Sequence, residues 1–170
     1  MIISVTSLKG GVGKSAFTQH LAATLSLVGR VLVVDLDAQA DATVLLGLGG
    51  NYGDLLADEA ELDPTIAELM DWSLSDSDNE LYDKKSFSDV VKKISPYLDV
   101  IPSDLDLGEI NYSLNRFPLK PRKMKDGSTE PAELHILREV FDQVKNDYDY
   151  IVIDCPPNIE TCNVSALFAS

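Results

Sequence analysis

Apolar positions group into short runs whose spacing changes repeatedly along the chain. Residues 2–6, Ile-Ile-Ser-Val-Thr, are apolar and β-branched and run into a glycine-rich turn, which predicts a buried strand. From about Ser15 to Val28, Phe17, Leu21, Ala22, Leu25 and Val28 recur at helical spacing, and Gly29 suits the helix C-terminus. Residues 31–35, Val-Leu-Val-Val-Asp, are apolar without interruption, the pattern of a strand covered on both faces. Strand, helix and strand within the first 35 residues form a βαβ unit, whose crossover should be right-handed. Further on, the pattern predicts helices over about 64–71, 86–94, 104–114 and 133–145, and one starting near Thr161. Strands are predicted over 98–102 and 150–154, the second ending in a carboxylate. Strands alternating with helices imply an α/β fold with a mostly parallel sheet and flanking helices.

Composition adds bounds. The 170 residues suit one domain, 1–170. The formal net charge of −14 argues against wholesale wrapping of nucleic acid, though a local basic patch remains able to bind it. No apolar run approaches the ~18 residues of a spanning helix. The first residues lack the positive flank and cleavage site of a secretory leader. Cys155 and Cys162 are the only cysteines and form no CxxC, so a reduced, cytoplasmic setting is expected.

The chemistry concentrates in Leu8-Lys9-Gly10-Gly11-Val12-Gly13-Lys14-Ser15, between the first strand and first helix. Glycines let the backbone curl and aim its N–H groups at an anion, and the following helix points its positive end at the same spot. Lys14 adds a formal charge for β- and γ-phosphates, and the Ser15 hydroxyl suits Mg²⁺. Leu8 stands where the general phosphate-loop pattern has its first glycine, and a second lysine, Lys9, sits at the loop entrance.

This loop resembles the deviant Walker A motif of the ParA/MinD family of ATPases. Asp35-Leu36-Asp37-Ala38-Gln39 is similar to the family's Walker A′ motif, and residues 148–157 to its Walker B strand and following switch. Weaker similarity lies in residues 65–69 and 98–107, so the resemblance covers nearly the whole chain in family order. It implies a P-loop nucleotide-binding fold of the SIMIBI type, C-terminally shortened, with ATP and Mg²⁺ as ligands. It implies cofactor binding by Lys9, Gly10, Gly11, Val12, Gly13, Lys14, Ser15 and Ala16. It makes Lys14 the phosphate lysine, Ser15 and Asp154 Mg²⁺ ligands, and Asp37 a metal-shell residue that positions the attacking water. Lys9 becomes the signature lysine that reaches a partner's phosphates across an ATP-sandwich homodimer. Asp35 is left between orienting the loop and joining the Mg²⁺ shell.

The Asp-Ala-Gln after Leu36 favours the ParA branch, which implies a slow ATPase switch for plasmid, chromosome or cargo partitioning with a ParB-like partner. A MinD-like or polysaccharide-kinase-like relative is the alternative, as is a non-hydrolysing module forming mixed dimers with a full-length ATPase. Cytoplasmic or nucleoid-associated placement is implied. Ala16 replaces the Thr common in the family, which removes one side-chain contact to phosphate. The family's usual DNA-binding and adenine-binding regions lie beyond Ser170, so the chain reads as a fragment, or as a short form whose first-strand edge another chain covers.

Other features have plainer readings. The cations at 116, 120, 122, 123 and 125 read as a solvated basic loop, and the acidic stretch 54–80 as solvated charge. Trp72 is expected to pack a helix onto the sheet, and His20 and His135 are too isolated to suggest a metal site.

Overall fold

The computed structural model describes residues 1–48, 64–74, 87–116, 119–124, 126–142 and 144–170, with the backbone alone for 72–74. Five strands form the main sheet in the order β1-β7-β2-β4-β3. They are β1 (Ile2–Val5), β2 (Val31–Asp35), β3 (Lys92–Ser95), β4 (Leu98–Ile101) and β7 (Tyr150–Asp154). β1, β7, β2 and β4 run parallel, and β3 closes one edge antiparallel to β4. A separate hairpin joins β5 (Arg122–Lys123) to β6 (Thr129–Glu130).

The helices described are α1 (Lys14–Leu25), α2 (Asp41–Leu45), α3 (Ile66–Leu74), α4 (Phe87–Val90), α5 (Asp106–Arg116), α6 (Ile136–Asp142) and α7 (Thr161–Ala169). A 3₁₀ turn, Ala132–His135, leads into α6. Successive strand residues point to opposite faces, so the continuous apolar run of β2 supplies both. Val31 and Val33 pack with Val100, Val152 and Ala22 of α1. Leu32 and Val34 pack with Ile101, Ile151 and Ile153 against α3, α5, α6 and α7, where Met70, Leu107, Phe141 and Cys162 are buried.

α2 was not expected, and two expected segments differ from the sequence reading. The helix expected over 86–94 is a single turn, α4, followed by β3. Lys92-Lys93-Ile94-Ser95 alternates in burial, and Pro96-Tyr97 turns it back onto β4, so pairing wins over local helical spacing. The basic stretch read as a loop carries the β5–β6 hairpin, with Arg122 ion-paired to Glu139. The other expected elements are present with shifted ends; that of 133–145 is divided between the 3₁₀ turn and α6. The side chain of Trp72 and most of the acidic stretch 54–80 lie outside the described residues.

β1 is an edge strand, as expected, hydrogen-bonded to β7 on one side. Lys92 and Lys93 mark the opposite edge, a charge pattern that discourages strand addition; β1 carries no charge.

Candidate functional site

The C-terminal ends of β1, β2 and β7 meet at one rim of the sheet, where open parallel folds bind ligands. The loop leaving β1 enters α1 through Gly13, whose φ of 84° is a left-handed conformation that a side chain would strain. Gly11 is also left-handed, with φ 70°. No side chain caps α1 and its first turn carries no acid, so its N-terminal N–H groups and dipole face an anion-sized space. That space is a cleft of about 470 Å³ lined by Gly10, Gly11, Gly13, Lys14, Ser15 and Ala16 on one side. Asp37, Gln39, Asp41, Val44, Leu45 and Pro157 complete it.

Six of the eight residues expected to bind cofactor therefore share one cleft. Val12 and Lys9 do not line it; both are exposed. Among the described residues Lys9 is tied only through its backbone: its N–H donates to the Ser7 hydroxyl at 3.2 Å and its carbonyl accepts from that hydroxyl at 3.5 Å.

Beneath the cleft, Asp35 and Asp154 are register partners on neighbouring strands. Thr18 of α1 donates to Asp154 Oδ1 at 2.9 Å, while Oδ2 is buried without a hydrogen-bond partner. Burial raises the pKa of Asp154; the Ser15 and Thr18 hydroxyls and the Lys14 charge oppose that rise. Asp154 Oδ2, the nearby Ser15 hydroxyl and half-buried Asp37 offer the hard oxygen donors that suit Mg²⁺. A buried acceptor with no donor of its own fits a cation, directly or through water.

Asp35 is engaged differently. Its Oδ1 accepts the Asp37 N–H at 3.1 Å, and its Oδ2 accepts the Thr43 N–H and hydroxyl, both at 2.8 Å. The Thr43 hydroxyl accepts in turn from the Ser103 N–H at 3.0 Å. Asp35 thus ties the loop carrying Asp37 to α2 and to the end of β4. Thr18 and Thr43 were not singled out in the sequence. The signal for Thr18 was its place one turn beyond Ser15 on the same helix face.

Burial, then the neighbouring Asp154, push the Asp35 carboxyl up to about 7. Its raised value means the folded chain holds a proton that the unfolded chain has released. Stability should therefore fall as pH rises from the ordinary value of 3.8 towards about 7. Denaturant midpoints taken across that window should show the slope, and Asp35→Asn should flatten it. A slope identical in the variant would assign the effect to other groups.

The remaining candidates are structural. Burial pushes the thiols of Cys155 and Cys162 up to about 12, which leaves both as unreactive core side chains. His20 is exposed and bonds the Ala16 carbonyl at 2.6 Å, and His135 meets Glu130 at 2.9 Å.

A family model described as an AAA domain matches residues 1–170. The chain belongs to the AAA-domain family, on its ParA-like side. This AAA domain is 32% identical over 171 residues to the sporulation initiation inhibitor protein Soj of Bacillus subtilis, covering 99% of this chain and 54% of Soj. A plasmid partition protein from Borrelia burgdorferi B31, solved with AMPPNP bound, superposes with TM-score 0.69 at 26% identity. That match covers 99% of this chain and 59% of the Borrelia chain. A cobyrinic acid a,c-diamide synthase from Mycobacterium smegmatis, solved with ADP and magnesium, shares the fold at TM-score 0.69 and 24% identity. It matches over 99% of this chain and 56% of its own. The AAA domain spans about half the length of such relatives. Its fold is that of the P-loop nucleotide-binding proteins. No helix among the described residues is long and apolar enough to cross a membrane.

Proposed function

We propose that the chain is the nucleotide-binding core of a slow, Mg²⁺-dependent ParA-like ATPase that closes into a two-subunit sandwich on ATP. The observation that carries this is the single cleft shared by Gly10, Gly11, Gly13–Ala16 and Asp37, with Lys9 exposed outside it. A lysine that does not line its own cleft is free to enter another subunit's. Lys14 and the α1 N-terminus would hold the β- and γ-phosphates. Ser15, Asp154 and Asp37 would hold Mg²⁺, which supplies charge neutralisation on those phosphates when bound. Asp37, on the loop fixed by Asp35, would orient the water that attacks the γ-phosphorus. Lys9 from the opposing subunit would stabilise the charge on the transferring group.

Hydrolysis would reopen the pair, the behaviour of a switch. The relatives include a ParA family protein and a plasmid partition protein, which supports partitioning of DNA or another cargo as its use. The ParB-like partner and the cytoplasmic or nucleoid setting rest on the family resemblance alone, and the family's usual DNA-binding region lies beyond Ser170.

Sedimentation with Mg²⁺ and a slowly hydrolysed ATP analogue tests the arrangement. The wild type should dimerise. Lys9→Ala should remain monomeric while binding the analogue within about threefold of wild type, since Lys9 does not line its own cleft. An equally stable variant dimer would refute the cross-subunit role.

A further inference from the structure

The segment after Asp154 is held at its far end by a residue of another helix. Asn111 of α5 is 5% exposed. Its Nδ2 donates to Glu160 Oε2 at 2.6 Å, and its Oδ1 accepts the Cys162 N–H at 3.2 Å. The second bond caps α7 from outside, because Glu160 makes no side-chain cap at its own helix N-terminus. One turn on, Asn115 Oδ1 accepts the Thr161 hydroxyl at 2.7 Å. From within α7, Asn163 donates to the carbonyls of Pro156 and Asn158.

Between these clamps lies a second cavity of about 530 Å³, lined by Asp37, Gln39, Asn111, Pro157, Asn158 and Glu160 among others. Asp37, Gln39 and Pro157 also line the phosphate cleft, so the two spaces share a wall. Within the segment Asn158 carries an unmet buried acceptor, and two more flank it. Asp154 Oδ2, Asn158 Oδ1 and Asn163 Oδ1 are buried acceptors without partners, three of the four such atoms among the described residues. A segment with unmet acceptors depends on outside contacts to stay in one arrangement.

We infer that Asn111 is a positioning residue for the nucleotide site: its two hydrogen bonds hold segment 155–160 where Pro157 forms a wall of the phosphate cleft. The inference rests on the nucleotide reading for its ligand, and on the hydrogen bonds alone for its geometry. Asn111 touches no reacting group; it acts through Glu160 and the start of α7.

Asn111→Asp is the direct test. It keeps an acceptor for the Cys162 N–H and turns the donor towards Glu160 into a second carboxylate. Combining it with Glu160→Gln lets donor and acceptor trade places. Two readouts are taken on the whole chain, amide hydrogen exchange and ATP·Mg²⁺ affinity. Asn111→Asp should speed exchange across 155–163 at least tenfold, leave α1 unchanged, and weaken ATP·Mg²⁺ about tenfold. The double variant should recover both within about threefold, which a merely structural defect would not do. Should Asn111→Asp fail to fold, Glu160→Ala breaks the same contact from its half-buried side and should shift both readouts in the same direction.

Unchanged exchange overturns the inference, and so does a loosened segment with undiminished ATP affinity. Absence of ATP binding by the wild type overturns the nucleotide reading instead. Exchange then still rules on whether Asn111 holds the segment.

Discussion

Lys14→Ala is expected to lower ATP·Mg²⁺ affinity about 30-fold or more while leaving the fold in place. Removing one partner of a desolvated, hydrogen-bonded charge pair typically loses about 2–5 kcal/mol, and each 1.4 kcal/mol is about tenfold. Lys14 is half-buried, lines the cleft and sits in the first turn of α1, where its charge adds to the helix N-terminus. Burial raises the carboxyls of Asp41 and Asp154 and the Lys14 charge opposes that rise, so its loss leaves a less well-compensated acidic rim facing a polyphosphate. No apolar core residue depends on it, and the melting temperature should move by only a few degrees. Calorimetric titration beside a melting curve separates the two effects. Wild-type affinity in a folded variant would remove the loop from consideration as a phosphate site.

Asp154→Asn should have opposite effects on binding and on stability. Asp154 is a buried carboxylate whose pKa burial raises, and one of its oxygens has no hydrogen-bond partner. The amide keeps the acceptor for the Thr18 hydroxyl and removes a charge beside Asp35. The fold should be more stable at neutral pH, because a buried charge whose pKa burial raises is replaced by a neutral amide. The same change deletes a hard anionic oxygen, so Mg²⁺ should no longer strengthen ATP binding. Melting curves and ATP titrations with and without Mg²⁺ check both halves. Retained Mg²⁺ dependence would exclude Asp154 as a ligand; a lower melting temperature would show that its charge is satisfied in the fold.

What the sequence made legible was whatever local spacing controls. Leu21, Ala22 and Leu25 of the apolar stripe seat α1 on the sheet, although Phe17 and Val28 turn out exposed, and the unbroken run at 31–35 places β2, and with it the loop at the sheet's rim. Phosphate chemistry was readable because glycines and lysines are close neighbours in the chain. The contacts that organise the site were not. Thr18 reaches Asp154 across 136 positions, and Asn111 reaches Glu160 across 49. Asp35 stood equally well as a loop anchor or a metal-shell residue until Thr43 and the Asp37 N–H were seen on its two oxygens. The strand at 92–95 was missed for the same reason: its identity comes from β4, and a double lysine hides its single, partly buried apolar position.

The strand order also sets a timetable for synthesis. β1 is among the first residues made, yet its neighbour in the sheet is β7, and the Met1 amine bonds the Asp149 carbonyl across 148 positions. β1 cannot pair with β7 until the residues of β7 have been made, a wait of roughly 7 to 30 s at ordinary elongation rates. Throughout that interval the loop between β1 and α1 lacks one of its two anchors. An uncharged, β-branched segment is meanwhile free to pair with whatever strand edge it meets. Early exposure thus leaves β1 open to mispairing during synthesis, and the phosphate loop keeps one of its anchors unset until β7 is in place.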